Sequence, residues 1–449
     1  MTRLPPCSFA ILVLALGASA ARAQDPTSRP VTGAIITLDD AIRIALEQNA
    51  TVRFARNSQS LDSLTVRQLR NQFLPNLNVS SQSSQGFGSR QSGQNTFGTN
   101  LGVSSGITLY NGRQNVNALR EAELNVRAAG HDLGRARQTI VFTVASDFLN
   151  LITQQEQSRV QQENLVAQEE QLRQLEAFAR QGTRPIGDLY QQQAATASAR
   201  LAVVTTRRAM EMAKVDLIQE LVLNPRGNYT FETPAPQADT TRRPNLNLDS
   251  LMDIALQRRV DIQAQLLRVE AAQREIMVAD GGRLPVITGS ASYGSGFTSG
   301  GSDNIAVQLD QRRGGSIGVG VGLPIFDRGA ASIARQRAQI QLENEGLILR
   351  DETQTVALEV RRAFLDYQSA QEQLTAADAQ QKAAALALEA AQARYRVGLA
   401  TFVEVTLARA TLVQAQSAVV NARASLVFQR ALMAYYTGEI DAGRLDIFR

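Results

Sequence analysis

The sequence predicts an α+β membrane protein made of two tandem copies of one unit. In each copy a short sheet segment, which closes only when chains associate, is joined to long helical rods. Three observations carry this reading. Motifs recur at an offset of 210 to 216 residues, four segments alternate apolar with small polar residues, and two helical stretches, 113–180 and 329–396, contain no proline.

The chain has 449 residues, and its first segment predicts export. Arg3 begins a short basic region, residues 9–21 are apolar or small, and Ala21-Arg22-Ala23 fits a small-x-small cleavage site. The apolar run falls short of the roughly 20 residues that span a bilayer. Residues 1–23 therefore read as a signal peptide and 24–36 as an N-terminal extension. Cys7 precedes the apolar run, so no lipid-attachment cysteine is expected.

The repeat sets the boundaries. Leu38-Asp39-Asp40-Ala41 matches Leu248-Asp249-Ser250-Leu251, and Leu74-Pro75 matches Leu284-Pro285. Farther along, Tyr110 matches Phe326, Phe148-Leu149 matches Phe364-Leu365, and Gly182 matches Gly398. Repeat 1 spans 37–223 and repeat 2 spans 248–438, followed by a tail at 439–449. The intervening 224–247, with Pro225, Pro234, Pro236 and Pro244, reads as a linker rather than an element.

Within each unit the order is the same. A helix is expected over 38–71 and again over 248–279, the first opened by Thr37-x-x-Asp40 and both stopped before Pro75 or Pro285. The period then changes to two. Phe97, Leu101, Val103, Ile107 and Leu109 alternate with Gly98, Asn100, Gly102, Ser104 and Thr108, and Ile317, Val319 and Val321 alternate with Ser316, Gly318 and Gly320. Hairpins are expected at about 76–110 and 286–326, with Gly/Ser/Asn-rich loops.

The two proline-free stretches follow. In the second, Val356, Val360, Ala363, Tyr367, Ala370, Leu374 and Ala377 keep a 4,3 spacing, which predicts close packing as in a coiled coil. Arg180-Gln181-Gly182 and Arg396-Val397-Gly398 read as helix stops, each followed by a return helix, to about Leu223 and Tyr436.

Composition excludes most chemistry. One Cys and one His preclude Cys/His metal sites, disulfide frameworks and Cys/His nucleophile pairs. The two lysines, Lys214 and Lys382, do not follow glycine, so there is no phosphate-binding P-loop. Beyond the expected cleavage point 44 bases face 42 acids, a balance of +2. The arginines are interleaved with Glu and Gln, which argues against nucleic acid as a partner. No cofactor and no enzymatic activity are expected.

The alternating strands allow two situations. In a soluble sandwich the apolar face turns inward, whereas in a transmembrane barrel it meets lipid. Four strands cannot close a barrel, and an open edge is forbidden in hydrocarbon. Two chains would supply eight strands and three would supply twelve, with all helices leaving on one side.

At this point the chain resembles the TolC family of outer-membrane efflux and export channels, over about residues 35–438. The resemblance rests on the tandem unit, on Leu323-Pro324-Ile325-Phe326 after the last strand, and on the run from Tyr395-Arg396-Val397-Gly398 through Thr401-Phe402-Val403-Glu404-Val405. It implies a homotrimer with a 12-stranded barrel in the outer membrane, continuous with a helical periplasmic barrel. It also implies docking to a periplasmic adaptor (membrane fusion protein) and an inner-membrane pump.

The resemblance further implies a periplasmic gate. Asp188 and Tyr395 match residues linked across the two repeats, and Glu404 matches the first of two constriction acids. The second constriction acid falls at Leu407 and the gate arginine at Ala400, with Arg184, Arg394 or Arg396 as substitutes. Gly182 and Gly398 mark the tips expected to meet the adaptor. Plainer readings stand beside these: Thr401-x-x-Glu404 is itself a capping box, Asp188 complements a helix start, and Tyr395 continues a packing stripe. The Gln191-Gln192-Gln193 run reads as solvated or lumen-facing. A soluble periplasmic coiled-coil adaptor is the alternative for the whole chain.

Overall fold

The structure is a computed structural model describing residues 35–86, 96–232, 247–299 and 303–440. The expected signal peptide, the N-terminal extension up to residue 34, most of the linker and the tail from 441 lie outside the described residues.

Each repeat begins with two helices, not one. Strand β1 (Ile35–Ile36) leads to α1 (Leu38–Gln48) and α2 (Ala50–Asn71), which meet at Asn49. Asn49 takes extended backbone, and its side chain accepts from the Thr51 amide while its own amide donates to Glu220. The single helices expected over 38–71 and 248–279 are thus broken after eleven residues. The apolar period hides the break because only one residue interrupts it.

Strands β2 (Asn76–Gly86) and β3 (Thr96–Asn111) follow, then α3 (Gln114–Arg180) and α4 (Ile186–Glu220). Strand β4 (Thr230–Phe231) lies inside the segment expected to be a plain linker and pairs in parallel with β1. Two residues are too few for a periodic signal, yet Ile36 and Phe231 are both buried, and the Phe231 ring meets Phe148 edge-on at 5.7 Å.

Repeat 2 runs through α5 (Leu248–Arg258), α6 (Val260–Gly281), β5 (Val286–Thr298), the short α7 (Ile305–Gln311), β6 (Gly314–Gly322), α8 (Ala330–Arg396) and α9 (Phe402–Tyr436). Corresponding helices have equal lengths in the two repeats: 11, 22, 67 and 35 residues. At 1.5 Å per residue each long helix is a rod of about 100 Å.

Helix α7 was not foreseen. It precedes β6 and packs beside the end of β5, where the Gln308 side-chain amide pairs with both backbone groups of Thr298, as a strand residue would. The expected second hairpin also ends earlier: β6 stops at Gly322, and residues 323–326 are exposed and unpaired.

The sheet is antiparallel in the order β2-β3-β5-β6, so its centre joins the two repeats. Register places Leu77, Val79, Leu101, Val103, Ile107, Tyr293, Ile317 and Val319 on one face. The other face carries rows such as Asn78, Ser104, Ser292 and Ser316, with Gly in many remaining positions and no charge. No long helix covers the apolar face: Ile317 is 91% exposed and Val79 is 80% exposed. The outer edges of β2 and β6 are unpaired among the described residues.

Each long helix starts after two consecutive left-handed residues, Gly112-Arg113 (φ 65° and 65°) and Arg328-Gly329 (φ 55° and 81°). Such backbone costs a non-glycine residue about 1–2 kcal/mol. Gly112 is also required sterically, since a Cβ there would lie 2.4 Å from the Gly281 carbonyl oxygen.

The helices pack side by side. Next to the sheet the order is α2, α3, α6, α8, and toward the far end it is α4, α3, α9, α8. The largest core gathers Ile42, Val52, Val144, Phe148, Leu151, Leu217 and Leu221 where α1, α3 and α4 meet. At the same level in repeat 2, the break at Arg259 is pinned electrostatically. Arg259 lies 2.6 Å from Glu359 and 2.5 Å from Asp261, and Arg135 approaches Asp261 at 3.7 Å. Burial opposes the Arg259 charge, but the two carboxylates more than offset it and raise its pKa.

Asp147 on α3 has no such cation. Burial, then the charges of Glu220 and Asp216, push its pKa up to about 6. The folded state therefore holds a proton here that the unfolded chain releases, so stability falls as pH rises from about 4 through about 6. Asp147→Asn should raise the melting temperature at pH 8 by roughly 1–3 °C, a modest gain because the carboxyl stays partly in water. The gap should close toward pH 5 in paired thermal melts, and a pH-independent gap would refute the assignment.

Candidate functional site

The ends of the long helices farthest from the sheet bring the two repeats together. Both end in left-handed glycine caps. Gly182 (φ 67°) donates to the Ala179 carbonyl at 3.1 Å and Thr183 to the Phe178 carbonyl at 3.1 Å. Gly398 (φ 80°) repeats the pattern, donating to Tyr395, while Leu399 donates to Arg394. These paired bonds are a Schellman motif, which satisfies the last carbonyls and turns the chain sharply. Return helix α4 starts after Pro185, and α9 starts after Thr401.

Tyr395, in the last turn of α8, is 8% exposed and packs with Leu175, Phe402 and Val405. Its hydroxyl donates to Asp188 Oδ2 at 3.0 Å, from repeat 2 to repeat 1. Arg184 closes the other side: its guanidinium lies 4.4 Å over the Tyr395 ring and donates to the Tyr395 carbonyl at 3.1 Å. Burial, followed by the hydrogen bond to Asp188 and that residue's charge, pushes the Tyr395 hydroxyl up to about 12. The phenol thus stays protonated and donating at neutral pH.

Of the residues singled out from sequence, Asp188, Tyr395 and Arg184 form one cluster. Arg394 and Glu404 form a second, with an ion pair of 3.5 Å, and Arg394 also donates to the Leu399 carbonyl. Glu404 completes a capping box with Thr401, accepting from the Thr401 amide at 3.1 Å. Arg396 makes no ion pair among the described residues, Ala400 packs beside Tyr395, and Leu407 is 68% exposed.

One contributor differs from its expectation. Gln192, expected to be solvated or lumen-facing, is 1% exposed and donates to the Gln168 carbonyl at 2.8 Å and to its side-chain oxygen at 2.7 Å. Thr196 Oγ1 donates back to the Gln192 carbonyl at 2.8 Å. This buried polar layer locks α4 against α3 above the tip. Its signal was available, because Gln192, Thr196, Ala199 and Val203 share a 4,3 register. Among the described residues no His/Cys/Asp/Glu group is arranged to hold a metal ion.

The chain has relatives among known proteins. The chain is 26% identical over 419 residues to the outer membrane efflux protein BepC of Brucella suis biovar 1, covering 92% of this chain and 87% of that protein. It is 26% identical over 328 residues to the pyoverdine export outer membrane protein OpmQ of Pseudomonas aeruginosa, covering 73% and 67%. Its fold is similar to that of CusC, with a TM-score of 0.79 at 18% identity over 89% of this chain and 92% of the other. VceC from Vibrio cholerae gives 0.75 at 19%, over 89% and 96%. The family model described as outer membrane efflux protein matches residues 41–221 and 251–439, which embraces both repeats and sets aside the soluble adaptor. The chain belongs to the outer membrane efflux protein family.

Proposed function

We propose that three copies assemble into one conduit, with a 12-stranded barrel in the outer membrane continuous with a tube of helices in the periplasm. Substrates delivered by an inner-membrane pump and a periplasmic adaptor pass through it without chemical change. The adaptor docks on the tips turned by Gly182 and Gly398, and those tips form the gate.

The observation that carries this reading is the sheet with a bare apolar face and two open edges. Unpaired edges are not viable in hydrocarbon, so neighbouring copies supply the missing partners. With an even number of strands, β6 of one copy meets β2 of the next antiparallel, and the pattern closes. No described helix is long and apolar enough to cross a membrane.

The helices carry matching unused faces. Besides its buried stripe, α8 has a second 4,3 stripe at Ala376, Ala379, Ala383, Leu386, Ala390 and Ala393, all exposed. On α4, Ile186, Tyr190, Ala194, Ala197, Leu201 and Val204 form an exposed stripe that settles into the same spacing from Ala194 onward. The two helices run antiparallel and lie at opposite sides of the chain's lower row. Small residues facing large ones fit a coiled-coil seam between copies.

Three outcomes test this reading. Ala383→Arg with Leu386→Arg puts charge into the seam without touching the inner stripe, and light scattering in mild detergent should show loss of the trimer. A trimer retained by that variant overturns the seam. On the sheet, Val319→Arg should cost roughly 2–4 kcal/mol near the bilayer midplane, while Ser316→Arg on the polar face is tolerated. Folding from urea into vesicles measures the difference, and equal damage would sink the assignment of faces.

For the gate, a hydrogen bond to a charged acceptor contributes about 1.5–3 kcal/mol. Tyr395→Phe with Asp188→Ala should raise conductance in planar bilayers, and Glu404→Gln should lower cation preference. The Tyr395 link is complete below about pH 10 and is lost as pH rises through about 12. Unchanged conductance in the double variant would leave these residues as packing and caps.

A further inference from the structure

Where strands hand over to helices, each chain carries three guanidinium groups that its own fold does not use. Arg113 caps the start of α3, Arg328 lies one residue before the Gly329 cap of α8, and Arg283 sits in the turn between α6 and β5. All three are exposed, and among the described residues none is in an ion pair or donates a side-chain hydrogen bond. The nearby acids make their direct contacts elsewhere, although the Arg283 charge adds a minor share to lowering the Asp327 pKa behind the backbone amides. Asp327 accepts from the Gly329 and Ala331 amides at 2.9 and 2.8 Å, and Asp280 faces Arg335 at 3.4 Å.

Arg113 and Arg328 also hold left-handed backbone, where glycine would be unstrained. The junctions are equivalent by the 216-residue offset, yet arginine takes the second left-handed slot in Gly112-Arg113 and the first in Arg328-Gly329. Each junction keeps one arginine while its slot changes. That pattern fits a requirement for positive charge at this level rather than for one fixed contact. Beside it begins the bare apolar band, with Leu109, Leu284, Ile325 and Phe326 exposed. Exposed apolar residues bordered by unspent cations are what a membrane–water boundary requires.

We propose that Arg113, Arg283 and Arg328 form a collar that binds the phosphodiester headgroups of glycerophospholipids in the periplasm-facing leaflet and sets the depth of the barrel. This rests on the membrane-spanning reading of the sheet. A guanidinium offers two parallel N–H donors that match two phosphate oxygens, and its charge favours anionic lipid.

The test uses the full-length channel and vesicles of phosphatidylcholine with or without phosphatidylglycerol, at low and high salt. The wild type should prefer the anionic vesicles, and Arg113→Gln/Arg283→Gln/Arg328→Gln should lose about tenfold of that preference. The triple Arg→Lys variant should keep most of it, and Arg207→Gln/Arg208→Gln on α4 should change nothing. Should the triple Gln variant fail to fold, Arg283→Gln alone, where the backbone is unstrained, should show a smaller loss of the same sign. An unchanged preference in either Gln variant overturns the collar while membrane insertion stands. Unchanged lipid preference with altered ion selectivity would place the guanidiniums in the pore instead. If the wild type fails to insert into either vesicle, the membrane reading and the collar fall together.

Discussion

The unpaired backbone at the two outer strands is the constraint on which the rest of this molecule depends. Each N–H and C=O left bare in hydrocarbon costs several kcal/mol, far more than any side-chain contact returns. A chain with four strands therefore cannot be a finished object, and its helices must be built for neighbours as well as for itself. In the proposed assembly the second stripes on α4 and α8 are that provision, as is the run of exposed Phe54, Leu61 and Leu64 along α2. Residues that would be liabilities on a monomeric soluble protein become sensible once the sheet demands partners.

The tips follow a different logic, since nothing there is forbidden and the energies are small. Tyr395 is held by apolar packing and by one hydrogen bond to Asp188, with Arg184 laid over its ring. In the proposed gate, an arrangement of that size would define a resting state that a partner can displace. Glu404 shows how one side chain serves two ends: it caps α9 and pairs with Arg394, and both contacts are largely in water. The cap fixes where the helix starts, and hence where every later residue of α9 faces.

Between sheet and tips, the helix breaks at Asn49 and Arg259 let short helices leave the row and cover the outside of the long rods. The two repeats solve the same break differently. Asn49 caps the next helix with its own side chain, whereas Arg259 is trapped between Asp261 and Glu359. A buried charge with two carboxylates is strongly destabilised by loss of either partner, so this break tolerates little change in composition.

Much of this was legible from sequence because it is local. Periods of two and of 4,3 spacing are geometric properties of strands and helices, so the strands, the 67-residue rods and the glycine stops were all readable from residue order. The repeat added register between halves, and together with the family resemblance it put Asp188 and Tyr395 near equivalent tips. What tertiary structure alone decided were contacts between residues far apart in the chain. The β1–β4 pair is too short for a pattern, the break at Arg259 depends on Glu359 a hundred residues away, and Gln192 is buried only because Gln168 faces it. Likewise, alternation showed that the strands have two unlike faces but not which would be covered. That followed from where the helices go, and they leave the apolar face bare because they pack on one another below the sheet.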